Sequence, residues 1–383
     1  MCHLLLLLLI PLCVACNGNS INKNTTEVIF NEEEYVNAYL FDNIDSVVIV
    51  GLQDIGINES CIGKIDKIDV TDSLILCLDK ETAILTIFGH DGKYITSISH
   101  LGRGVGEFIT IDDFIIADSL IYILDYMQNK MVVFDTKGTF IKEIHLTFNP
   151  AYMTKITDSV FLFINELCDV KATGGPFRIS YSPYFKNYKV LPIKFNDVIM
   201  NNSFAGLHKY YSEGADGDIL YKPTFNYSVY GISVDSCYLK YDYDFGKYSA
   251  RERHQEYSNI DELMKLFRSD IAWNMDFFQE TNHFAYFIIT IGNDVYQQIH
   301  IKKDKKCYAT KYLSSDLLCF RKTPIKMIEN RVYTVIPASI IEEEKLKSNR
   351  PFQYKIIDYP YIDPDVNSAN PYIAITYFSI TTR

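Results

Sequence analysis

Beyond its first sixteen residues the chain has no run of about 18 apolar residues, the length a membrane-crossing helix needs. Beyond Cys16 it has no Cys-x-x-Cys. Its histidines after the leader form no His-x-His, His-x-x-x-His or His-Glu-x-x-His, so the usual linear spacings of zinc ligands are missing. Gly-x-Ser-x-Gly is absent, and with it the elbow that exposes a serine nucleophile. No Gly-x4-Gly-Lys-Ser/Thr phosphate cradle occurs either. Basic residues are the minority: 37 Lys and Arg against 48 Asp and Glu leave a net charge of −11. That balance excludes a nucleic-acid partner, which needs a basic face for the phosphates. The local run HIKKDKK (300–306) reads as a solvated hairpin.

What is present begins at the leader. MCHLLLLLLIPLCVAC carries an apolar stretch from Leu4 to Val14, broken only by Pro11. It is too short to span a bilayer but suits a secretory signal. With Ala15 directly before Cys16, it resembles a bacterial lipoprotein signal, which implies lipidation at Cys16. Residues 1–15 are then the signal peptide and residues 16–30, opening NGNSINKN, a polar flexible tether. Residues 31–383 form the folded part. The implied address is the bacterial cell envelope, attached to the outer membrane through the lipid. The composition, 48% hydrophobic and 22% charged, is that of an ordinary globular protein. Six cysteines beyond Cys16 are scattered, several in apolar runs, and read as buried free thiols.

The most informative feature is a repeat. VTDSLILCLDKETAILTIFGHDGKYITSI from Val70 and IADSLIYILDYMQNKMVVFDTKGTFIKEI from Ile116 align without a gap at a spacing of 46 residues. Such a period signals a propeller or a solenoid. Each unit contains short apolar runs separated by Asp-Ser, Asp and Gly turns, the grammar of antiparallel strands joined by hairpins. Four strands every 46 residues make a propeller blade. Weaker echoes at 156–166, 216–232, 282–301 and 325–336 extend the count to about six. The expected fold is therefore all-β, a six-bladed propeller of four-stranded antiparallel blades. The 29 Tyr and 24 Phe suit the widening gaps between splayed blades. Two stretches, 249–280 and 337–350, break the pattern and are expected as helical excursions. DSVVIVGL (45–52) is expected to pair with the last strand, PYIAITYF (371–378), and so close the ring.

On these residues, together with GRGVGEF (102–108), YDYDFGKY (241–248) and the Asn370–Pro371 pair, the chain resembles the six-bladed propeller lipoproteins of Bacteroides-type bacteria, a TolB-like or NHL-like group. The resemblance implies a periplasmic or outer-membrane lipoprotein.

Candidate site residues are few. HLGRGVGEF (100–108) matches no nucleotide loop and reads as a crossover between blades, whose glycines allow positive φ. Arg103 is the candidate to meet an anionic ligand, with an Arg103–Glu107 ion pair as the alternative. Trp273, Phe277 and Phe278 are candidate contact residues for a partner. No cofactor is expected, although Ca²⁺ is conceivable at the acidic turns EGADGDI (213–219) and YIDPDVN (361–367). The Asp-Ser-Leu triplets at 72–74 and 118–120 serve as hairpin residues or as O-glycosylation sites. The sequence thus points to a non-catalytic binding or scaffold lipoprotein that holds a peptide, a glycan or an envelope protein. The alternative is a metal-dependent hydrolase or lyase working from the central channel.

Overall fold

The computed structural model describes residues 25–157, 160–164, 179–183, 189–190, 211–222, 227–234, 236–249, 261, 265, 269–314, 316–346, 353–359 and 370–379. The chain enters through strand β1 (Thr25–Phe30), helix α1 (Glu33–Asn43) and strand β2 (Ile44–Gly51). It then builds four-strand units one after another. The first comprises β3 (Lys67–Val70), β4 (Leu74–Asp79), β5 (Ile84–Gly89) and β6 (Tyr94–Ile98). The second comprises β7 (Asp113–Ala117), β8 (Leu120–Asp125), β9 (Lys130–Asp135) and β10 (Phe140–His145). In both, each strand pairs antiparallel with the next. Asp118 and Ser119 both take positive φ, 52° and 61°, the left-handed pair that a two-residue hairpin between β7 and β8 requires.

The third unit is β11 (Tyr152–Thr157), β12 (Val160–Ile164), β13 (Ile179–Pro183) and β14 (Lys189–Val190). The fourth is β15 (Tyr211–Glu213), β16 (Ile219–Tyr221), β17 (Ser228–Ile232) and β18 (Cys237–Asp244). The fifth is β19 (Ala272–Glu280), β20 (Phe284–Ile291), β21 (Asp294–Ile301) and β22 (Lys306–Thr310). Helix α2 (Leu318–Arg321) leads to β23 (Lys326–Ile328) and β24 (Arg331–Ile336), followed by helix α3 (Ala338–Leu346), β25 (Gln353–Ile357) and β26 (Tyr372–Phe378). The last sheet is assembled from both ends of the chain, in the order β23-β24-β26-β2-β25. The antiparallel β2–β26 ladder expected from DSVVIVGL and PYIAITYF is present, with Val48 opposite Ile375.

Apolar side chains explain why these sheets need one another. β4 (LILCLD) and β9 (KMVVFD) are buried along nearly their whole length rather than on alternate residues, as strands covered on both faces must be. Leu76, Ile87, Ile123 and Phe134 join the first unit to the second. Leu124, Val133, Phe161 and Phe163 join the second to the third, and Leu162, Ile164, Ile219 and Tyr221 the third to the fourth. Val229, Tyr243, Phe287 and Ile289 join the fourth to the fifth, and Tyr286, Ile299, Val332 and Ala374 the fifth to the last. Val50, Tyr333 and Ile375 then meet Ile75 and Phe88 of the first unit. The succession of interfaces closes on itself. Each fully buried side chain of this size contributes roughly 1.5–3 kcal/mol, so each unit is stabilised by both neighbours.

Two expectations are corrected. The tether does not extend to residue 30, because Thr25–Phe30 is a strand. It runs parallel to β18 through Thr25–Glu27 and parallel to β22 through Val28–Phe30. Val28 is buried, and the apolar Val-Ile-Phe triplet is what lets this short segment leave water. The helical reading of 249–280 also fails at its C-terminal end, where Ala272–Glu280 is strand β19, paired with β20. There Ala272, Phe278 and Gln279 are buried, as a strand enclosed within the ring requires. Residues 250–260 lie outside the described residues. Cys61, Cys77, Cys237, Cys307 and Cys319 are free thiols, three of them buried; Cys168 lies outside the described residues.

Candidate functional site

The first strands of the units face one another across the middle of the ring, and polar side chains meet there. Lys67 on β3 and Asp113 on β7 stand 46 residues apart, at the same position of the repeat, and pair at 2.6 Å. Lys67 Nζ also donates to the Phe114 carbonyl at 2.7 Å and to Tyr211 Oη at 2.9 Å, which occupies all three ammonium protons. The Tyr211 hydroxyl lies 2.6 Å from the Met153 carbonyl and 3.0 Å from Asp113 Oδ2. Met153 closes the circuit by donating its amide to Asp113 Oδ2 at 2.8 Å.

A second pair lies beside the first. Lys326 Nζ on β23 donates to Asp69 Oδ1 at 2.5 Å and lies 3.5 Å from Glu213 Oε1. Asp69 also accepts the amides of Val70 and Ile116. Gln279 on β19, buried, donates to the Pro324 carbonyl at 3.4 Å. Strands from every unit therefore contribute to the axis, either by a side chain or, for β11, by the Met153 backbone.

The electrostatics hold these groups in one state. Burial pushes the Asp69 carboxyl up, but Lys326 and Lys67 outweigh it and keep the group below the usual carboxylate range. Burial pulls Lys326 down, yet Asp69 and Glu213 raise it well above an ordinary lysine. Burial and the Asp113 charge both drive the Tyr211 phenol up. Asp69, Lys326 and Tyr211 are thus shifted away from the neutral range, whereas a general acid or base works best with a pKa close to the working pH.

Above the cluster is a cavity of 990 Å³, within the size range of small-molecule sites. Its walls include Ile62, Ile65, Ile115, Ile325, Met327 and Val335, and its floor the charged groups just described. Lys64, Lys80 and Lys322 line it from exposed positions. Lys64 pairs with Asp66 at 2.5 Å. Lys80 donates to the Asp112 carbonyl and lies 5.8 Å from the centre of the Tyr152 ring. Lys322 makes no ion pair among the described residues.

The residues singled out from sequence lie elsewhere. Arg103 is exposed on the β6–β7 crossover, does not line the cavity, and makes no ion pair among the described residues. Glu107 instead accepts the Gly104 amide at 2.7 Å. Gly106 has φ +79°, and a Cβ there would meet the Phe140 ring at 2.9 Å, so the loop needs glycine for its own geometry. Gln128 and Lys130 donate to the Gly102 and Gly104 carbonyls, fastening the turn to the second unit. Trp273 is half-buried on β19. Phe278 is buried, 5.5 Å from the rings of both Tyr241 and Phe287, and so packs in the core instead of meeting a partner. The Phe277 side chain and Cys16 lie outside the described residues, as does YIDPDVN (361–367).

In EGADGDI the acidic groups already have protein partners, with Asp216 on Lys240 at 2.7 Å and Asp218 on the Tyr238 hydroxyl. Among the described residues no three His, Cys, Asp or Glu side chains gather so as to hold a metal ion. Lys67, Asp113 and Tyr211 were missed because they precede the segments compared, and Lys326 because the echo holding it is too weak to align residue by residue. Their signal was available as a charged or phenolic side chain at the start of successive inner strands: Lys67, Asp113, Tyr211 and Lys326.

A closed succession of antiparallel sheets with an ion-paired axis defines a β-rich, propeller-like protein. The chain belongs to the family described as Domain of unknown function (DUF4934), whose model matches residues 25–376. Among solved structures it is similar to a Bacteroides fragilis protein put forward as exported, with a TM-score of 0.68 and 14% identity over 92% of this chain and 100% of that one. It is also similar to a member of the DUF4221 family from Bacteroides vulgatus, with a TM-score of 0.52 and 9% identity over 88% and 97% of the two chains. Virginiamycin B lyase from Staphylococcus aureus aligns with a TM-score of 0.42 and 13% identity over 86% and 98%. No curated protein matches the chain in sequence.

Proposed function

We propose that this protein is a six-bladed propeller lipoprotein of the bacterial envelope that binds a ligand in its axial cavity without transforming it. The observation that carries this reading is the cavity's floor. Lys67 has every proton engaged by protein acceptors, and Asp69, Lys326 and Tyr211 are held away from neutral titration. A floor arranged in this way is rigid and preorganised for binding, but has no proton to give or take at neutral pH. Its apolar walls with a few convergent polar groups have the usual make-up of a ligand pocket.

The envelope address rests on the leader and on Cys16. Metabolic labelling with a fatty acid should mark the wild-type chain and not Cys16→Ser; labelling that survives the substitution overturns the anchor. For the cavity, the protein is purified from native envelope and its bound small molecules are identified by mass spectrometry, alongside Ser339→Trp. Ser339 is exposed on α3 and lines the cavity, so an indole there obstructs the cavity without disturbing the core. A molecule that co-purifies with the wild type and not with the variant supports the reading. Equal recovery with both refutes it.

A further inference from the structure

The charge around the cavity is unevenly distributed. The rim has three exposed lysines, Lys64, Lys80 and Lys322, against one aspartate, Asp66, whose side chain is only 17% exposed. The floor has the opposite balance, with Lys67 and Lys326 against the buried Asp69 and Asp113 and the partly exposed Glu213. This rim stands out in a chain whose net charge is −11.

The rim lysines are also only weakly committed. Lys64 reaches Asp66 with 68% of its own side chain exposed, and an ammonium so well solvated gains little from its pair. Lys80 has a neutral carbonyl as its acceptor, and Lys322 has no ion pair among the described residues. The floor carboxylates, in contrast, are engaged by lysines and backbone amides. Between rim and floor the walls are mostly aliphatic, with the Tyr152 ring on one side.

We propose that the axial cavity takes a small amphipathic organic anion, with its apolar body against the isoleucine walls and its acidic group at the lysine rim. The proposal rests on the cavity being a ligand site and names the class of ligand. The negative floor sets the orientation, since an acidic group carried inward would meet Glu213, whose side chain is 43% exposed. The aliphatic walls favour a hydrocarbon or aromatic body over a sugar, whose hydroxyls would lose their water against Ile62, Ile115 and Val335.

Two fluorescent probes of nearly the same shape test this in the full-length protein. Anilinonaphthalene sulfonate carries an anionic group, and N-phenylnaphthylamine lacks it. The sulfonate is expected to bind at one site per chain and more tightly than the neutral probe. The combined variant Lys64→Met, Lys80→Met, Lys322→Met is expected to weaken the sulfonate about fivefold, as the loss of three solvated contacts would. The neutral probe should be unaffected, and Ser339→Trp should abolish the binding of both. Circular dichroism confirms that the variants fold, as is expected for exposed positions. Equal affinity for the two probes, with no effect of the triple substitution, overturns the anionic class and leaves the cavity as an apolar site. Binding of both probes that persists in Ser339→Trp places them elsewhere on the surface and overturns the cavity reading as well.

Discussion

Removing Lys326 tests the axial cluster most directly. In the native protein Asp69 is buried and paired with Lys326 at 2.5 Å, and its carboxyl titrates below the 3.8 of a free aspartate. The pair therefore stabilises the fold at any pH above that value and loses its effect only as the pH falls through the folded-state pKa. Lys326→Met keeps most of the apolar stem but leaves the Asp69 charge buried without its partner, which costs about 3 kcal/mol. Burial is then opposed mainly by Lys67 and the Ile116 amide, so the Asp69 pKa rises from its wild-type value and is expected to pass the unfolded one. The folded variant takes up a proton that the unfolded chain does not, so its deficit relative to wild type should shrink as pH falls from about 7 towards about 4.5. Adding Asp69→Asn removes the stranded charge and should recover about half of the loss at neutral pH. Urea unfolding followed through Trp273, the sole tryptophan of the chain, measures each midpoint. The reasoning is refuted if Lys326→Met has the same deficit at both pH values, or if the double variant is no more stable than the single one.

Other outcomes follow from the same geometry. Tyr211→Phe removes the hydroxyl between Lys67, Asp113 and Met153 and should cost about 1–3 kcal/mol, read by the same denaturation, because buried partners lose a bond. Gly106→Ala combines positive φ with a 2.9 Å approach to Phe140; a melting temperature unchanged from wild type would show that the crossover can relax, against an expected loss of about 1–3 kcal/mol. Val28→Pro removes a backbone donor and a buried side chain from β1 and should cost about 3 kcal/mol; hydrogen exchange should speed up along β18 and β22. Burial depresses His300 from 6.5 to about 4, and its ring nitrogen bonds Tyr243 at 3.0 Å. The unfolded chain therefore binds the proton first, and stability falls as pH drops from 6.5 towards 4, by about 2–3 kcal/mol from this residue. In His300→Gln that part of the slope should disappear from the pH–stability curve.

The strands could be read from the chain because their information is local. The 46-residue offset between Asp79 and Asp125 predicts equivalent turns, and the two aspartates do the same work. Asp79 accepts the amides of Lys64, Glu81 and Thr82, and Asp125 those of Ile109 and Gln128. Apolar continuity in LILCLD and MVVF likewise signalled burial on both faces, and the β2–β26 ladder followed from two unpartnered apolar runs near the ends. By contrast, β19 was misread because the helical reading of the residues before it was carried on through AWNMDFFQE. Its pairing with β20 settles the matter, and no residue within the stretch records that partner.

The axial site was beyond such reading for a related reason. Lys67, Asp113, Tyr211 and Lys326 are separated by 46, 98 and 115 positions, and each taken singly resembles a solvated strand end. Ring closure brings them within hydrogen-bond distance, and exclusion of water turns ordinary side chains into fixed charges that form the floor of a cavity. Hydrophobic periodicity and turn chemistry act between near neighbours, and so they are written along the chain. Desolvation and charge pairing depend on which distant strands share an interior, and these emerge only when the ring is complete.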